Sequence, residues 1–407
     1  MCMEDIMKKI LFVINTMGIG GGERGILELF DQIDSEKYEV SLFVLTGQGE
    51  LIGQIPDKVH LLNTTYFPIS VLDHSGKIRL IRTVIRSMFI RGTICKRMKY
   101  IVRNLREMTK KGKIQKDKLL WKVLSDGAQR LEQEYDLAVA YLEGGSAYYV
   151  ASYVKARKKA AFIHINYELA GYSRELDEDC YIEFDRIFPV SESVKESFLT
   201  FYPECRDRTD VFYNLINRDK IMRKAEEEGG FSDGYNGFRI LTVGRLVPQK
   251  ALPVAIDAMK ILKAADRAFR WYVLGECDSR KKLQEQIQML GLEEDFILLG
   301  TVENPYPYYA QCDLYVHTTY YEGKSIAIEE AQILGCAMLV SEHSGVREQI
   351  EDGVDGKICA LNPQDIAKNI LEMAQDQKKL ACYRHAAAER RQTDNQREAS
   401  KLLELLK

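Results

Sequence analysis

The chain has 407 residues, enough for two or three domains that each bury a full core. Hydrophobic residues make up 46% of it and charged residues 29%, as in ordinary globular proteins, and a formal net charge of -3 excludes a general polyelectrolyte or nucleic-acid binder. The nine cysteines are scattered and form no C-x-x-C pair, a pattern that is typical of a reducing compartment and excludes a disulfide scaffold.

Neither a targeting sequence nor a membrane span is expected. Acidic Glu4 and Asp5 precede an apolar run of only a strand's length, and no small-residue cleavage site follows it, so we predict no signal peptide. Nowhere do about 18 apolar residues follow one another without a charge, the length that a spanning helix needs. A cytoplasmic protein is therefore the expectation.

The first half alternates apolar runs with helical stretches. Residues 9–16 are predicted to form a buried parallel strand, followed by a glycine-rich turn at 18–24 and a helix from Gly25 to Ile33. Further strands are predicted at residues 40–45, 137–141, 161–165 and 187–190. Strands that alternate with helices predict a doubly wound, Rossmann-like parallel sheet.

A basic segment interrupts this half. From Lys77 to Lys118 the chain carries fifteen Lys or Arg residues and two acidic ones. Ile81, Val84, Ile85, Met88 and Phe89 within it follow the spacing of an apolar helix face. A basic amphipathic helix is typical of proteins that bind at an anionic membrane surface. A solvated surface insertion and a binding surface for an anionic polymer are the alternatives.

The second half repeats the pattern. After a polar stretch at 218–237, strands are predicted at residues 239–243, 271–274, 296–299, 314–317 and 337–340, and the chain after Pro363 is helical by its period. We predict a first domain at 1–217, a second at 218–385 and a C-terminal helix at 386–407. This helix could cross back to the first domain. Two Rossmann-like halves predict a cleft at the carboxyl ends of their strands.

Four groups of residues at strand ends point to chemistry. In the glycine-rich turn, Gly21 and Gly22 permit close approach of a ligand to the backbone, although a tight connection explains them as well. Arg245 and Lys250 follow a buried strand, where two cations can hold a diphosphate. His164 ends another strand and could bond a sugar or acceptor hydroxyl, or could be structural.

The fourth group is the stretch Tyr321–Ala331, in which a strand leads through a polar turn into a helix. Free backbone N–H groups at such a helix start favour an anion. Glu322 and Glu330, eight positions apart, suit neutral hydroxyls of the same ligand, and a nucleotide-sugar has both features. Glu329, the neighbour of Glu330 on the helix, is the rival, and acidic residues near a helix start also have a purely structural explanation.

One acidic stretch suggests a metal at first sight. Asp177-Glu178-Asp179 has a D-x-D pattern, in which two carboxylates can ligate a metal ion. It lies in a polar, helix-like stretch and does not directly follow an apolar strand, so we interpret it as a solvated face and predict no metal site.

Together these motifs resemble glycosyltransferase family 4. The resemblance rests on G-R-L-x-x-x-K after a strand, on E-x7-E within E-G-K-S-I-A-I-E-E-A and on the N-terminal G-G-G-E-R, and residues 188–193, 213–216 and 299–304 extend it over nearly the whole chain. It implies a GT-B fold, with two Rossmann-like domains facing a cleft, and a retaining transferase. The second half matches more specifically than the first.

The resemblance also implies roles for individual residues. Arg245 and Lys250 would neutralise the donor diphosphate, with Lys324 as a possible third cation, and backbone N–H groups at Ser325 and Ile326 would meet the phosphate. Glu322 would bond the transferred sugar, Glu330 the ribose and Val302 the base. Gly21 and Gly22 would reach the phosphates from the first domain, and His164 would face the acceptor.

Function is therefore expected to be the transfer of a hexose from a UDP- or GDP-sugar to a glycan acceptor, lipid-linked in the usual setting of the family, during surface polysaccharide synthesis. Fixed cations and a helix start can stabilise the leaving diphosphate, so neither metal nor cofactor is predicted. The protein would work at the cytoplasmic membrane face through the Lys77–Lys118 segment. A nucleotide-sugar 2-epimerase of the same architecture and a non-catalytic binder of anionic polymer remain as alternatives.

Overall fold

The structure, a computed structural model, describes residues 7–89, 98–102, 104–106, 109, 116–265, 268–390 and 393–407. The chain divides into two compact units, one formed by Met1–Ile216 with Thr393–Lys407 and the other by Asn217–Gln392. The predicted boundary between 385 and 386 falls inside a helix, Gln377–Glu389, and the chain rejoins the first unit only from Thr393. Part of the predicted basic segment lies outside the described residues.

The described part of the first unit contains a sheet of six parallel strands, in the order β3-β2-β1-β4-β5-β6. The strands are β1 Lys8–Ile14, β2 Tyr38–Val44, β3 Val59–Leu61, β4 Tyr135–Ala140, β5 Ala156–Ile163 and β6 Arg186–Pro189. Runs such as the buried half of β1 are apolar on both faces because helices cover the sheet on each side. Two separate core clusters confirm this, since Phe12 belongs to one and Val13 to the other.

The helices of the first unit follow the strands in alternation. They are α1 Gly21–Asp31, α2 His74–Phe89, α3 Lys116–Gly127, α4 Gly145–Tyr153, α5 Arg174–Asp177, α6 Glu192–Phe201 and, near the C-terminus, α15 Asn395–Leu403. The prediction that α1 begins at Gly25 was wrong, because Gly21 and Gly22 form its first turn and Gly20 is the residue before it. The C-terminal α15 buries Ala399 and Leu402 in the same core cluster as Phe12 of β1.

The second unit repeats the same architecture. Its described strands are β7 Phe238–Val243, β8 Phe269–Leu274, β9 Phe296–Gly300, β10 Leu314–His317, β11 Met338–Ser341 and β12 Lys357–Cys359. All neighbours pair in parallel, in the order β12-β11-β10-β7-β8-β9. Counted from its first strand, this is the strand order of the first unit and of Rossmann folds. The predicted fold class of two Rossmann-like parallel sheets is confirmed.

Eight helices are described in the second unit. They are α7 Arg218–Ala225, α8 Leu252–Leu262, α9 Arg280–Met289, α10 Tyr306–Gln311, α11 Ile326–Ile333, α12 Val346–Gln349, α13 Pro363–Gln375 and α14 Gln377–Glu389. The polar stretch at 218–237 therefore begins with a helix, α7. Helix α11 ends just before Gly335, which adopts the left-handed conformation (φ +63°) that stops a helix.

No helix in the described ranges is long and apolar enough to cross a bilayer.

The interpretation of Asp177 as a solvated residue was wrong. Its side chain is fully buried, and it pairs with Lys118 of α3, whose ammonium lies 2.7 Å from the carboxylate. Lys118, the last residue of the basic segment, thus belongs to the interior of the first unit.

Candidate active site

The strand order of the second unit reverses between β7 and β10, and the loops that leave these two strands diverge at this point. In open α/β sheets, ligands bind at such a point, outside the carboxyl ends of the strands. The loop after β7 carries Arg245 and Lys250, and the loop after β10 carries Glu322. The structure thus brings three of the predicted site residues to one edge of one sheet.

Lys250 and Glu322 form an ion pair across these two loops. The Lys250 ammonium contacts Glu322 Oε1, and both side chains are largely buried, with 16% and 13% of their surface exposed. The Lys250 side chain passes over Gly244, where a Cβ would lie 3.3 Å from Lys250 Cε. The Thr318 hydroxyl donates to the Lys250 carbonyl at 2.8 Å and fastens the loops to each other. The pair is therefore held by backbone contacts as well as by charge.

The electrostatics of this pair keep Glu322 ionised. Burial alone would raise its pKa, but the charge and the hydrogen bond of Lys250, with the nearby His317 ring, outweigh burial, so the pKa of Glu322 lies well below its usual value. A buried carboxylate that stays charged is a strong acceptor for hydroxyl groups. Glu322 can accordingly hold a polyhydroxyl ligand at neutral pH.

Arg245 differs from Lys250 in being exposed. It follows Gly244 directly, and among the described residues its guanidinium has no hydrogen-bond or ion-pair partner. The position is tight for the backbone, because a Cβ on the neighbouring Gly275 would lie 2.0 Å from the Gly244 carbonyl oxygen. Arg245, in the same loop as Lys250, is therefore a cation that an anionic ligand could bind.

At the start of α11, the backbone N–H of Ser325, predicted to meet a phosphate, already has a hydrogen-bond partner. The Ser325 N–H donates to Gln349 Oε1 at 2.8 Å, and the Gln349 amide donates back to the Ser325 carbonyl at 2.9 Å. A phosphate contact at Ser325 would require Gln349 to release this N–H. Ile326, the first residue of the helix, is half-buried beside it.

The three charged residues around this helix are all paired. The Lys324 ammonium lies 2.5 Å from Glu329 Oε1, and both side chains are almost fully buried. Glu330 accepts hydrogen bonds from the hydroxyls of Tyr306, at 3.0 Å, and Tyr309, at 3.3 Å. Lys324 is therefore neutralised within the protein in this state, whereas Glu330 is held by neutral donors that hydroxyls of a ligand could replace.

Val302, the residue predicted to contact a base, lies in the loop after β9. It is half-buried and packs against the core cluster on one face of the second sheet. That loop follows the edge strand β9, so the base contact remains a prediction.

The corresponding point of the first unit lies between β1 and β4, and it brings together Gly22 and His164. A Cβ at Gly22 would lie 3.7 Å from His164 Cδ2, so the start of α1 passes directly beside the imidazole. Gly21 precedes it and is exposed. Burial lowers the pKa of His164, which favours the neutral ring, and neither ring nitrogen has a hydrogen-bond partner within the described ranges.

Two residues at strand ends escaped the sequence analysis. Glu143, just past β4, accepts the backbone N–H of His164 at 3.0 Å. His317, the last residue of β10, lies 3.5 Å from Glu322 Oε1 through its Nε2. Position alone could have identified both, because each lies at the carboxyl end of a strand next to the point where the strand order reverses.

A metal-ligating cluster is not among the described features. Within the part of the chain that the structure covers, no three His, Cys, Asp or Glu side chains converge in a way that could hold a metal ion.

Comparison with known proteins agrees with this architecture. Residues 231–390 match the model of the family described as Glycosyl transferases group 1. The chain is 30% identical over 212 residues to the N-acetylgalactosamine-N,N'-diacetylbacillosaminyl-diphospho-undecaprenol 4-alpha-N-acetylgalactosaminyltransferase of Campylobacter jejuni, a match that covers 52% of this chain and 56% of the relative. It is 32% identical over 146 residues to the amylovoran biosynthesis glycosyltransferase AmsK of Erwinia amylovora, covering 34% and 36%. These matches span about half or less of the relatives' length.

Solved structures agree in fold. The crystal structure of Anabaena Alr3699/HepE in complex with UDP-glucose aligns with a TM-score of 0.65 over 98% of this chain and 99% of that one, at 17% identity. An identity this low shows a common fold and nothing more. With the matched family, it establishes that this chain has the GT-B fold and that its second unit carries a glycosyl transferases group 1 domain.

Proposed function

We propose that this chain is a retaining glycosyltransferase of family 4. It would transfer a hexose from a nucleotide-diphosphate sugar to a lipid-linked glycan acceptor during bacterial surface polysaccharide synthesis. The observation that carries the proposal is the division of charge at the β7–β10 edge. Arg245 and Lys250 offer two cations for a diphosphate, and the ionised Glu322 beside them offers an acceptor for sugar hydroxyls. The names of the relatives support the same reaction class.

The donor would use both sides of this arrangement. The diphosphate would bind Arg245 and draw Lys250 toward itself, and the transferred sugar would bond Glu322. Glu330, held now by Tyr306 and Tyr309, would take the ribose hydroxyls, and Val302 the base. In the first unit, the first N–H groups of α1, at Gly21 and Gly22, have no acceptor within the helix and favour an anion.

The acceptor would be recognised through His164. Its neutral imidazole can donate one hydrogen bond and accept another, which suits a hydroxyl group. The relatives support a carbohydrate or polyol acceptor, since one is named for a diphospho-undecaprenol-linked sugar and another for poly(ribitol-phosphate).

The chemistry would follow from charge alone. As the nucleoside diphosphate departs, negative charge develops on its oxygens, and cations fixed beforehand stabilise that charge. Arg245 and Lys250 would supply this stabilisation without a metal. Retention would come from attack on the same face that the diphosphate leaves, with the leaving phosphate accepting the proton of the acceptor hydroxyl, so no covalent enzyme intermediate is required.

Incubation of the protein with UDP-, GDP- and ADP-sugars tests the proposal. Slow release of the nucleoside diphosphate, accelerated by a glycan acceptor, is the expected result. An epimerised nucleotide-sugar without release of nucleoside diphosphate would instead identify a 2-epimerase. If the protein neither turns over nor binds any of these nucleotide-sugars, the remaining hypothesis is a non-catalytic binder of anionic polymer.

Replacing Arg245 with alanine is expected to lower kcat/KM for the donor by about 10- to 150-fold, because a hydrogen bond to a charged group contributes roughly 1.5–3 kcal/mol. Steady-state kinetics measure this effect. Arg223→Ala removes another exposed arginine of the second unit and is the matched control. Equal kinetics in the two variants would reject the diphosphate role of Arg245.

We also propose that α2 docks on an anionic membrane surface. Ile78, Ile81, Ile85 and Phe89 lie one helical turn apart and are exposed, Phe89 to 74%. The opposite side of α2 is packed so closely on α3 that a Cβ at Gly127 would lie 2.6 Å from the backbone of Ser87. The apolar stripe is thus not needed for the fold of the described residues.

Charge beside the stripe favours anionic lipid. Arg82 and Arg86 are exposed along the stripe. Arg79 is less accessible to lipid headgroups, because its guanidinium packs on the Phe67 ring, 3.1 Å from the ring centre. Of the other basic residues in the segment, Arg91, Lys96, Arg97, Arg103, Lys110, Lys111 and Lys113 lie outside the described residues.

The double variant Arg82→Gln, Arg86→Gln is expected to bind phosphatidylglycerol vesicles on the order of 30-fold more weakly than the wild type, at roughly 1 kcal/mol per basic residue. Flotation with increasing lipid measures this affinity. Lys281→Gln, Lys282→Gln on α9, which removes two exposed charges from the second unit, should change nothing. Equal binding to neutral and anionic vesicles would contradict the proposal.

A further inference from the structure

His317 is a buried imidazole placed between a tyrosine and the candidate catalytic glutamate. It ends β10 and only 1% of it is exposed. Its Nδ1 lies 3.0 Å from the Tyr315 hydroxyl on one side, and its Nε2 lies 3.5 Å from Glu322 Oε1 on the other. Within the described residues Nε2 has no hydrogen-bond partner. A buried polar atom aimed at Glu322 but held just beyond bonding distance needs an explanation.

The surroundings define the protonation of this ring. Burial, helped by the charge of Lys250, lowers the pKa of His317 to about 4, so the ring is neutral at physiological pH. A neutral imidazole carries one N–H. A proton on Nε2 faces the Glu322 carboxylate favourably, and Nδ1 then accepts the Tyr315 hydroxyl. The opposite tautomer would set a lone pair against that carboxylate. The Glu322 carboxylate therefore favours the tautomer with its proton on Nε2, and the Tyr315 hydroxyl supports that tautomer by donating to Nδ1.

Once a nucleotide-sugar is bound, the Lys250 ammonium faces two anionic groups. It now contacts Glu322 Oε1, but in the proposed function it also neutralises the diphosphate. As its charge shifts toward the phosphate, the buried Oε1 loses part of the interaction with its cationic partner. Thr319 lies 3.4 Å from Oε1, but its hydroxyl also bonds the carbonyls of Gln249 and Tyr321. His317 Nε2 is the remaining donor among the described residues.

We propose that His317 is a positioning residue for Glu322. Its imidazole, oriented by Tyr315, donates from Nε2 to Glu322 Oε1 when Lys250 turns to the diphosphate, and so keeps the other carboxylate oxygen directed at the sugar. The contact is long in the structure because Lys250 still occupies Oε1, and it closes in the donor complex. Hydrogen bonds of this kind commonly tighten only when substrate binds. The inference rests on the proposed function for the identity of the ligand.

The kinetic test uses Tyr315→Phe, which keeps the ring and deletes the hydroxyl. We expect kcat to fall about 10-fold and the KM for the donor to stay within about twofold, since Glu322 contacts the sugar and not the diphosphate. His317→Phe should cost about 100-fold in kcat, and His317→Gln, which can still donate, should recover part of this loss. Tyr272→Phe deletes another buried tyrosine hydroxyl of the second unit, bonded to Asp233, and is the matched control.

A spectroscopic test does not depend on turnover. Long-range proton–nitrogen NMR of the six 15N-labelled histidines reports the tautomer of each ring. We expect His317 to be protonated on Nε2 in the wild type and to be a mixture of tautomers in Tyr315→Phe. Addition of the nucleotide-sugar that binds most tightly, or of UDP or GDP if none binds, should shift the Nε2 proton downfield.

The outcomes separate the two proposals. A ring protonated on Nδ1, or a Tyr315→Phe variant with unchanged tautomer and unchanged kcat, would overturn the role of His317. The expected tautomer without turnover of any nucleotide-sugar would instead retain the positioning of Glu322 and reject the transferase.

Discussion

Replacing Glu322 with glutamine is expected to lower transfer about 100-fold or more, the largest effect on activity that we predict. Glu322 is buried, ionised and paired with the cation Lys250. Loss of two charged hydrogen bonds to sugar hydroxyls, at roughly 1.5–3 kcal/mol each, accounts for a loss of this size. Steady-state transfer from the donor identified in the panel measures it.

Binding of the free nucleoside diphosphate should respond in the opposite direction. In the Glu322→Gln variant, Lys250 no longer has a carboxylate beside it, so UDP or GDP should bind equally well or more tightly by calorimetry. Glu372→Gln makes the same chemical change at an exposed residue of the second unit and should leave both quantities unaltered. Transfer within threefold of the wild type would contradict a catalytic Glu322 and favour the non-catalytic alternative.

Local sequence signals were sufficient for the fold class. Every predicted strand overlaps an observed one, because a buried parallel strand is an uninterrupted apolar run bounded by turns. The two strands that were not predicted, Val59–Leu61 and Lys357–Cys359, have three residues each and lie at the edges of their sheets. A run this short has no period to detect, and its strand conformation depends on pairing with its neighbour.

The candidate site could be predicted only in part. Residue types after β7 and β10 indicated Arg245, Lys250 and Glu322, since strand ends are where such folds bind ligands. Which charges pair could not be predicted, because it depends on the adjacency of β7 and β10, strands about 75 residues apart in the chain. Lys324 was predicted as a further cation for the phosphate, whereas the structure pairs it with Glu329.

The same limitation explains the misinterpreted acidic stretch. Asp177-Glu178-Asp179 was interpreted as solvated because it lies in a polar, helix-like stretch and does not directly follow an apolar strand. Only Asp177 is buried, and its burial depends on Lys118, 59 positions earlier, and on Tyr148 of α4. An ion pair between residues so distant in the chain leaves no local pattern.

The second large effect that we predict is on stability, and it concerns the buried ion pair between Lys118 and Asp177. It does not depend on any ligand. Asp177 Oδ1 accepts hydrogen bonds from the Lys118 ammonium at 2.7 Å and from the Tyr148 hydroxyl at 2.5 Å. The Lys118 ammonium also lies 3.5 Å from the centre of the Tyr172 ring. Lys118→Met keeps the length of the side chain and leaves an unpaired carboxylate in the interior. We expect the free energy of unfolding of the first unit to fall by about 3–5 kcal/mol.

An exposed pair provides the control for this prediction. Lys158 contacts Asp185 at 2.9 Å with half of its side chain exposed, and Lys158→Met should cost only about 0–1 kcal/mol. Urea unfolding followed by hydrogen-exchange mass spectrometry assigns the loss to the first unit. The double variant Lys118→Met, Asp177→Asn removes both charges and should regain part of the lost stability, since the single variant suffers mainly from an uncompensated buried charge. If Lys118→Met and Lys158→Met unfold at the same urea concentration, the buried pair does not hold α3 to the first unit.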